Sequence, residues 1–196
     1  MTLPSNGGDT VRKLIYHSGG SLDGFIERPD HDISWHRVDT ELLQHMNDTL
    51  GPAGAFLSGR VTHQLMADYW PTADADPDCP PTTAEFAGIW REKPKFVFSR
   101  TLMTAGWNTT IMRDVAVDEI MALKDQPGGD LVLSGSDLAT TFRQLDLIDE
   151  YRVYVHPVLI GQGKPMFQPV TGTNDLRLVD TQVFGNGVVL LHHARC

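Results

Sequence analysis

Short apolar runs alternate with segments of helical periodicity along the chain. The runs predict buried strands, which cover residues 12–18, 53–58, 95–99, 109–112, 130–133 and 151–160. In the segments between them, apolar side chains recur every three or four residues and predict amphipathic helices, which cover residues 39–50, 61–69, 115–124 and 138–145. Strands that alternate with helices are typical of an α/β sandwich with a mostly parallel sheet.

The C-terminal end departs from this alternation. Two predicted strands, 176–183 and 188–193, flank Gly185-Asn186-Gly187. A short glycine-rich connection between two strands is a hairpin signal. We therefore expect antiparallel strands at this end of the sheet.

Glycine and proline mark the irregular parts of the chain. The three glycines of 19–24 are expected to break the first strand, and residues 25–35 are expected to form a loop. Four prolines and three aspartates predict an exposed excursion at 70–83, and 161–165 predicts a turn. We expect one domain over residues 12–196, preceded by a flexible N-terminal tail at 1–11.

Composition excludes several classes of function. The 196 residues carry a formal net charge of −9, so no basic stripe is available for a nucleic-acid partner. No run of about 18 apolar residues exists to span a membrane, and the polar start is unlike a signal peptide, which makes the cytoplasm the expected compartment. The cysteines Cys79 and Cys196 form no disulfide framework or metal site. His192 and His193 face opposite sides of a predicted strand, so no metal site is expected there either.

Glycine, serine and arginine follow three predicted strands directly. These junctions are Gly59-Arg60-Val61-Thr62, Ser99-Arg100-Thr101 and Ser134-Gly135-Ser136-Asp137. In open α/β sheets ligands bind beyond the carboxyl ends of the strands, where helix N-termini and arginines favour phosphate. Taken singly, Arg60 and Arg100 are equally well explained as solvated surface charges, and Gly135 as a turn residue. Together the three junctions favour an anionic ligand with several phosphates, such as a dinucleotide.

The motifs of the commonest nucleotide and hydrolase sites do not occur. The sequence has no GxGxxG and no GxxxxGK[ST], and it has no HExxH, GxSxG or CxxC. Metal catalysis, serine-type hydrolysis and ordinary nucleotide hydrolysis are therefore disfavoured.

Four segments in one order resemble the dihydrofolate-reductase-like family. They read KLIYHSGGSLDGFIERPDHDISW, FLSGRVTHQLMADYWP, KPKFVFSRTL and GGDLVLSGSDLATTFRQLDLIDEYRVYVHPVLIGQGKPMF. More narrowly, they are similar to the C-terminal reductase domain of the bifunctional riboflavin-biosynthesis deaminase/reductase and its stand-alone relatives. The resemblance covers about residues 12–193. It implies a three-layer α-β-α sandwich with a mixed sheet of about eight strands, bound NADPH and a homodimer, with the C-terminal strands as a plausible interface.

The resemblance also implies roles for individual residues. The cofactor would be bound by the following: Gly59, Arg60 and Thr62 on the pyrophosphate and adenosine side, Ser99, Arg100 and Thr101 at the 2′-phosphate, and Gly135, Ser136, Asp137 and Leu138 under the pyrophosphate and nicotinamide. Ser21 and Trp35 would lie on the substrate side. Asp23 would supply a proton to the product, directly or through water, although an Asp-Gly turn explains it equally well. Asp39 and Glu41 lie near the region where dihydrofolate reductases carry a helix carboxylate, but neither is clearly placed, so folate reduction is not expected. His156 and Pro157 are expected to serve the sheet or a dimer contact.

One departure from the family pattern concerns the cofactor. Many relatives carry two successive glycines where this sequence has Gly135-Ser136, and Asp137 follows. A carboxylate beside a pyrophosphate is repulsive unless it turns away, and we expect Asp137 to cap its own helix. The leading hypothesis is an NADPH-dependent reductase of a small heterocyclic substrate, of the aminouracil-phosphoribosyl or pterin type. The alternative is a non-catalytic nucleotide-binding or regulatory module that keeps the fold.

Overall fold

The central element is one sheet of eight strands in a computed structural model that describes residues 11–196. Its strands are β1 (Leu14–Ser21), β3 (Ala55–Gly59), β4 (Lys95–Phe98), β5 (Thr109–Met112), β6 (Leu131–Ser134), β7 (Glu150–His156), β9 (Leu176–Val183) and β10 (Val189–Arg195); β2 (Phe25–Glu27) and β8 (Lys164–Pro165) form a separate two-stranded sheet. The order is β5-β4-β3-β6-β1-β7-β10-β9. The first six strands in this order run parallel to one another. β10 runs antiparallel to both of its neighbours, β7 and β9. The predicted mixed sheet with a C-terminal antiparallel hairpin is confirmed. Residues 1–10, where the N-terminal tail is predicted, lie outside the described residues.

Helices cover both faces of the sheet. They are α1 (Thr40–Leu50), α2 (Arg60–Tyr69), α3 (Pro81–Glu92), α4 (Val117–Lys124) and α5 (Ser136–Gln144), with a 3₁₀ helix at Trp70–Ala75. Ile120 of α4 and Phe142 of α5 pack with Leu14 and Leu133 of the strands on one face. Leu42 of α1 packs on the other face, where α2 and α3 also lie. The apolar clusters on the two faces of the sheet give the expected three layers.

The first strand does not break at its glycines as predicted. β1 continues through Gly19 and Gly20 to Ser21 and pairs with β7 over this whole length. A Cβ atom on Gly20 would lie 2.0 Å from Met166 Cε, and one on Gly19 would lie 3.2 Å from His156 Nε2. These glycines are therefore explained by close packing across the strand rather than by a turn.

The predicted excursion at 70–83 is largely ordered structure. Trp70 stacks edge-on against Phe86 of α3 with 4.4 Å between ring centroids, and Pro71 is buried. α3 itself is not predicted by the pattern, because it begins within the proline-rich stretch. Pro81 lies in the first turn of α3, where the N–H group that proline lacks would have no partner within the helix.

Three boundaries differ around the chain segments 22–27 and 157–168. β7 ends at His156 instead of residue 160, and the predicted loop at 25–35 contains β2. The predicted turn at 161–165 contains β8, which pairs antiparallel with β2. Strands of two and three residues are too short to show alternation. We call these two segments, 22–27 and 157–168, the flap.

Candidate functional site

The three predicted junctions lie at one edge of the sheet. Their strands β4, β3 and β6 are neighbours and run parallel, with Gly59 opposite Phe98 and Ser58 opposite Ser134. The carboxyl ends of all three strands therefore meet at the same edge. The sequence-based expectation that these junctions share one side of the sheet agrees with this topology.

Two helices begin at this edge, and no side chain of the described residues caps the first turn of either one. Gly59 is the N-cap residue of α2 and Gly135 that of α5, and neither helix start receives a side-chain cap from the described residues. A Cβ on Gly59 would meet no heavy atom within 4 Å, whereas one on Gly135 would lie 2.9 Å from Thr62 Oγ1. Thr62 thus links the two helix starts. Amide groups without partners and aligned helix dipoles make this edge suited to an anion.

The two arginines at this edge are both exposed and each has a neighbour. Arg60 Nη1 donates to Gln64 Oε1 at 2.8 Å within α2. Arg100 Nε donates to Asp114 Oδ1 at 2.8 Å, and Arg100 Nη2 also donates to this oxygen. The two guanidinium groups stand at the ends of adjacent strands but do not bind a common group within the described residues.

The turn after β4 is held by an arginine that motif reasoning missed. Ser99 is buried, and its Oγ accepts hydrogen bonds from the amides of Leu102 at 2.9 Å and Thr101 at 3.3 Å. Arg113 Nη1 donates to the carbonyl oxygens of Ser99 at 2.9 Å and Leu102 at 2.7 Å. Arg113 follows β5, whose carboxyl end lies beside that of β4. The strand-end rule that selected Arg60 and Arg100 would also have selected Arg113 if it had been applied to β5.

Ser136 and Asp137, at which the sequence departs from the pattern of the resemblance, both contact the flap. Ser136 is buried, and its hydroxyl donates to Pro165 O at 2.5 Å. Asp137 does not cap α5, so that prediction is wrong. Its carboxylate instead accepts hydrogen bonds from Lys164 Nζ at 2.5 Å and Gln168 Nε2 at 2.9 Å. Lys164 thus pairs the Asp137 carboxylate with a positive charge from the flap.

Leu138 and Ser21, two predicted site residues, make structural contacts within the protein. Leu138 packs against the apolar cluster between α5 and the sheet. Ser21 is buried, and its Oγ accepts from Phe25 N at 3.0 Å and lies 3.3 Å from Phe25 O. The side chain of Ser21 therefore closes the turn between β1 and β2.

The three candidate carboxylates all accept backbone hydrogen bonds. Asp23 is exposed and binds the amides of Gly161 at 2.8 Å and Ile160 at 3.2 Å. The Ser21 hydroxyl and these amides hold the pKa of the Asp23 carboxyl below its usual range. Asp39 caps α1 through Leu42 N at 2.9 Å, and Glu41 Oε2 accepts from Gly185 N at 2.9 Å. The catalytic role of Asp23 stays a prediction, and its contacts join the two segments of the flap to each other.

Trp35 lies with two histidines beyond the carboxyl end of β1. The rings of His36 and His156 stack with 4.6 Å between centroids, and Trp35 meets His36 edge-on at 4.2 Å. His156 is buried in β7 opposite Ser21, and its Nδ1 accepts from Arg37 N at 3.0 Å. Burial, together with His36 and Arg37, lowers the pKa of His156 to about 4. His156 thus serves the sheet as one of the two expected alternatives, and Trp35 has an aromatic partner set that sequence reasoning did not predict.

Neither grouped metal ligands nor a membrane-spanning helix occurs within residues 11–196. Within this part of the chain, no three histidine, cysteine, aspartate or glutamate side chains are grouped to hold a metal ion. No helix of the same residues is long and apolar enough to cross a membrane.

The order and directions of the strands define the fold class of the protein. The chain superimposes on the dihydrofolate reductase of Enterococcus faecalis complexed with NADP(H), with a TM-score of 0.59, 16% identity and coverage of 93% of this chain and 96% of that one. It also matches the diaminohydroxyphosphoribosylaminopyrimidine deaminase/5-amino-6-(5-phosphoribosylamino)uracil reductase of Thermotoga maritima, with a TM-score of 0.65 and 15% identity over 94% of this chain and 57% of that one. At these identities the likeness shows the fold, which is dihydrofolate-reductase-like.

Sequence comparison identifies the family within this class. The family model of the RibD C-terminal domain matches residues 12–190, and the chain belongs to this family. It is similar to the uncharacterized protein YyaP of Bacillus subtilis, with 35% identity over 184 residues, 93% of this chain and 95% of that protein. The predicted relationship to riboflavin-biosynthesis reductase domains is confirmed.

Proposed function

We propose that this chain is an NADPH-dependent reductase of a small heterocyclic substrate, of the aminouracil-phosphoribosyl type or of the pterin type. The observation that carries the proposal is the pair of helix N-termini, at Gly59 and Gly135, that open on one edge of the sheet without a side-chain cap from the described residues. Two structural neighbours are a 5-amino-6-(5-phosphoribosylamino)uracil reductase and a dihydrofolate reductase complexed with NADP(H). Their fold is the one found here.

The residues at the edge fit a dinucleotide with a 2′-phosphate. The amides at the starts of α2 and α5 would hold the pyrophosphate. Ser99, Arg100 and Thr101 would hold the 2′-phosphate, because a guanidinium binds phosphate oxygens in pairs. The open space beside Gly59 lets a ligand approach the backbone closely. NADPH, when bound, supplies the hydride for the reduction.

On the substrate side, the chain would act mainly by positioning. Trp35 offers an aromatic face for a planar ring, and the half-buried His36 and the buried His156 pack edge-on against it and fix its orientation. Asp23 ties the two segments of the flap together through the amides of Ile160 and Gly161. Its lowered pKa keeps the carboxylate charged at neutral pH, so we assign it a positioning role and leave proton supply to water that it orders.

A nucleotide-binding module without turnover is the second candidate. It is favoured by the engagement of Asp23, Asp39 and Glu41 in backbone hydrogen bonds, which leaves none of the three as an obvious proton donor. Titration with NADPH, followed by tryptophan fluorescence, tests both candidates. Saturable binding with NADPH oxidation in the presence of an aminouracil or pterin supports the reductase, and binding without oxidation supports the module. No binding at millimolar NADPH contradicts both.

We also propose that two copies of this chain associate through β9. All eight residues of this edge strand are exposed, including Leu178 at 57% and Val183 at 71%. An apolar edge strand invites pairing with another strand, and a second copy related by a two-fold axis presents the same edge. Sedimentation should give a dimer for the native chain and a monomer for Val183→Glu. Val117→Glu, at an exposed valine of α4, is the control and should stay dimeric. A monomeric native chain contradicts the proposal.

A further inference from the structure

One edge of the Arg100 guanidinium pairs with the Asp114 carboxylate, and the exposed side chain leaves the other edge to solvent. Asp114 Oδ1 accepts hydrogen bonds from both Nε and Nη2 of Arg100, so it occupies one edge of the planar group. A guanidinium has five N–H donors in a fixed fork. The Nη1–Nη2 edge is therefore left to bind a phosphate in the bidentate manner.

Charge at this turn is mixed. Arg113 donates to the carbonyl oxygens of Ser99 and Leu102 and places a second positive charge beneath the turn. Asp114 contributes a negative charge directly beside Arg100. The side chains of Arg100 and Asp114 are 81% and 62% exposed, so solvent and salt weaken every interaction here.

We propose that Asp114 sets the cofactor preference of this chain by limiting its affinity for the 2′-phosphate. The inference rests on the proposed binding of NADPH and concerns only the choice between NADPH and NADH. A 2′-phosphate bound to the free edge of Arg100 would carry up to two negative charges within a few ångströms of the Asp114 carboxylate. Asp114 also holds the long Arg100 side chain in place, but an exposed ion pair contributes little. Repulsion outweighs that gain, so the chain discriminates weakly between the two cofactors.

The test compares two adenosine fragments that differ only in the 2′-phosphate, 2′,5′-ADP and 5′-AMP, by titration calorimetry. Asp114→Asn removes the charge and keeps an acceptor of similar shape. We expect the affinity ratio of 2′,5′-ADP to 5′-AMP to rise about tenfold, as for two unit charges in a largely aqueous setting, and the rise to shrink at high salt. Asp118→Asn is the matched control, because it removes the same charge from the exposed first turn of α4. Its ratio should stay at the native value.

A double-mutant cycle ties the effect to Arg100. In an Arg100→Ala background, Asp114→Asn should change the ratio much less than in the native chain, because the 2′-phosphate has lost its partner. An unchanged or lower ratio in Asp114→Asn overturns the inference while NADPH binding keeps the proposed function intact. Failure of both fragments and both whole cofactors to bind the native chain overturns the two together.

Discussion

The Thr62 hydroxyl lies 2.9 Å from the position that a Cβ atom would take on Gly135. This contact joins the first turn of α2 to the start of α5 and leaves no room for a side chain between them. Gly135 also has φ +96°, a conformation that residues with a Cβ avoid. The two helix starts that form the proposed anion site are therefore built around one glycine.

Gly135→Ala should destabilise the fold for both reasons. We expect a loss of about 1–3 kcal/mol from backbone strain, increased by the contact with Thr62, in urea unfolding. Gly161→Ala is the matched control, because Gly161 has φ +78° and open space around its Cβ position. Adding Thr62→Ala to Gly135→Ala should recover the part of the loss that comes from the close approach of Thr62, and this recovery measures that part. Equal losses at the two glycines would show that the contact is unimportant.

Gly59→Ala should separate ligand binding from folding. Gly59 has φ −77° and an open Cβ position, so alanine fits the free chain. A methyl group there would face a ligand at the start of α2, and we expect the dissociation constant for NADPH to rise about tenfold, or about 1.4 kcal/mol. Unfolding free energy should stay within about 0.5 kcal/mol of the native value. Gly88, within α3, also has open space at its Cβ position. Gly88→Ala should therefore leave the NADPH dissociation constant unchanged and should not lower the unfolding free energy. Unchanged affinity in Gly59→Ala would exclude close approach of the cofactor at α2.

The sequence predicts which strands end at the ligand edge, because that depends on local pattern and chain order. Apolar runs locate β3, β4 and β6, and parallel connections place their carboxyl ends together. The sequence does not predict which side chains pair with each other. Asp137 binds Lys164 and Gln168, and Arg100 binds Asp114, through contacts between segments that no local pattern links. Sequence reasoning can thus find a site edge but cannot say which of its charges are already paired.

The glycines of β1 show the same limit in the core. A run such as Gly19-Gly20 favours a turn when only neighbours in sequence are considered. The strand persists because His156 and Met166, more than a hundred residues later, fill the space above these glycines. Whether a glycine turns the chain or admits a neighbour is decided by tertiary contacts.

Ser136→Gly restores the family pattern at α5 and tests whether the departure matters to the cofactor. The Ser136 hydroxyl donates to Pro165 O, on the flap side, so its loss should cost stability and not affinity. We expect a loss of about 1 kcal/mol in urea unfolding and an NADPH dissociation constant within a factor of about two of the native value. Ser34→Gly, in the exposed loop after β2, is the control for the substitution itself. A large gain in NADPH affinity would instead indicate that the Ser136 side chain weakens cofactor binding.

His156 should make the fold sensitive to mild acid. Burial lowers its pKa to about 4 in the folded chain, from an ordinary value of 6.5. Between these values the unfolded chain binds a proton that the folded chain does not, so stability is present above about pH 6.5 and falls as the pH drops, by about 1.4 kcal/mol per unit for this group. His156→Asn keeps an acceptor for Arg37 N and removes the titration. Urea unfolding between pH 6.5 and 5 should give a slope that is smaller in His156→Asn by about that amount per unit, whatever the variant's stability at neutral pH. Equal slopes in the native chain and His156→Asn would show that the pKa of His156 is the same in the folded and the unfolded chain, so that burial does not lower it.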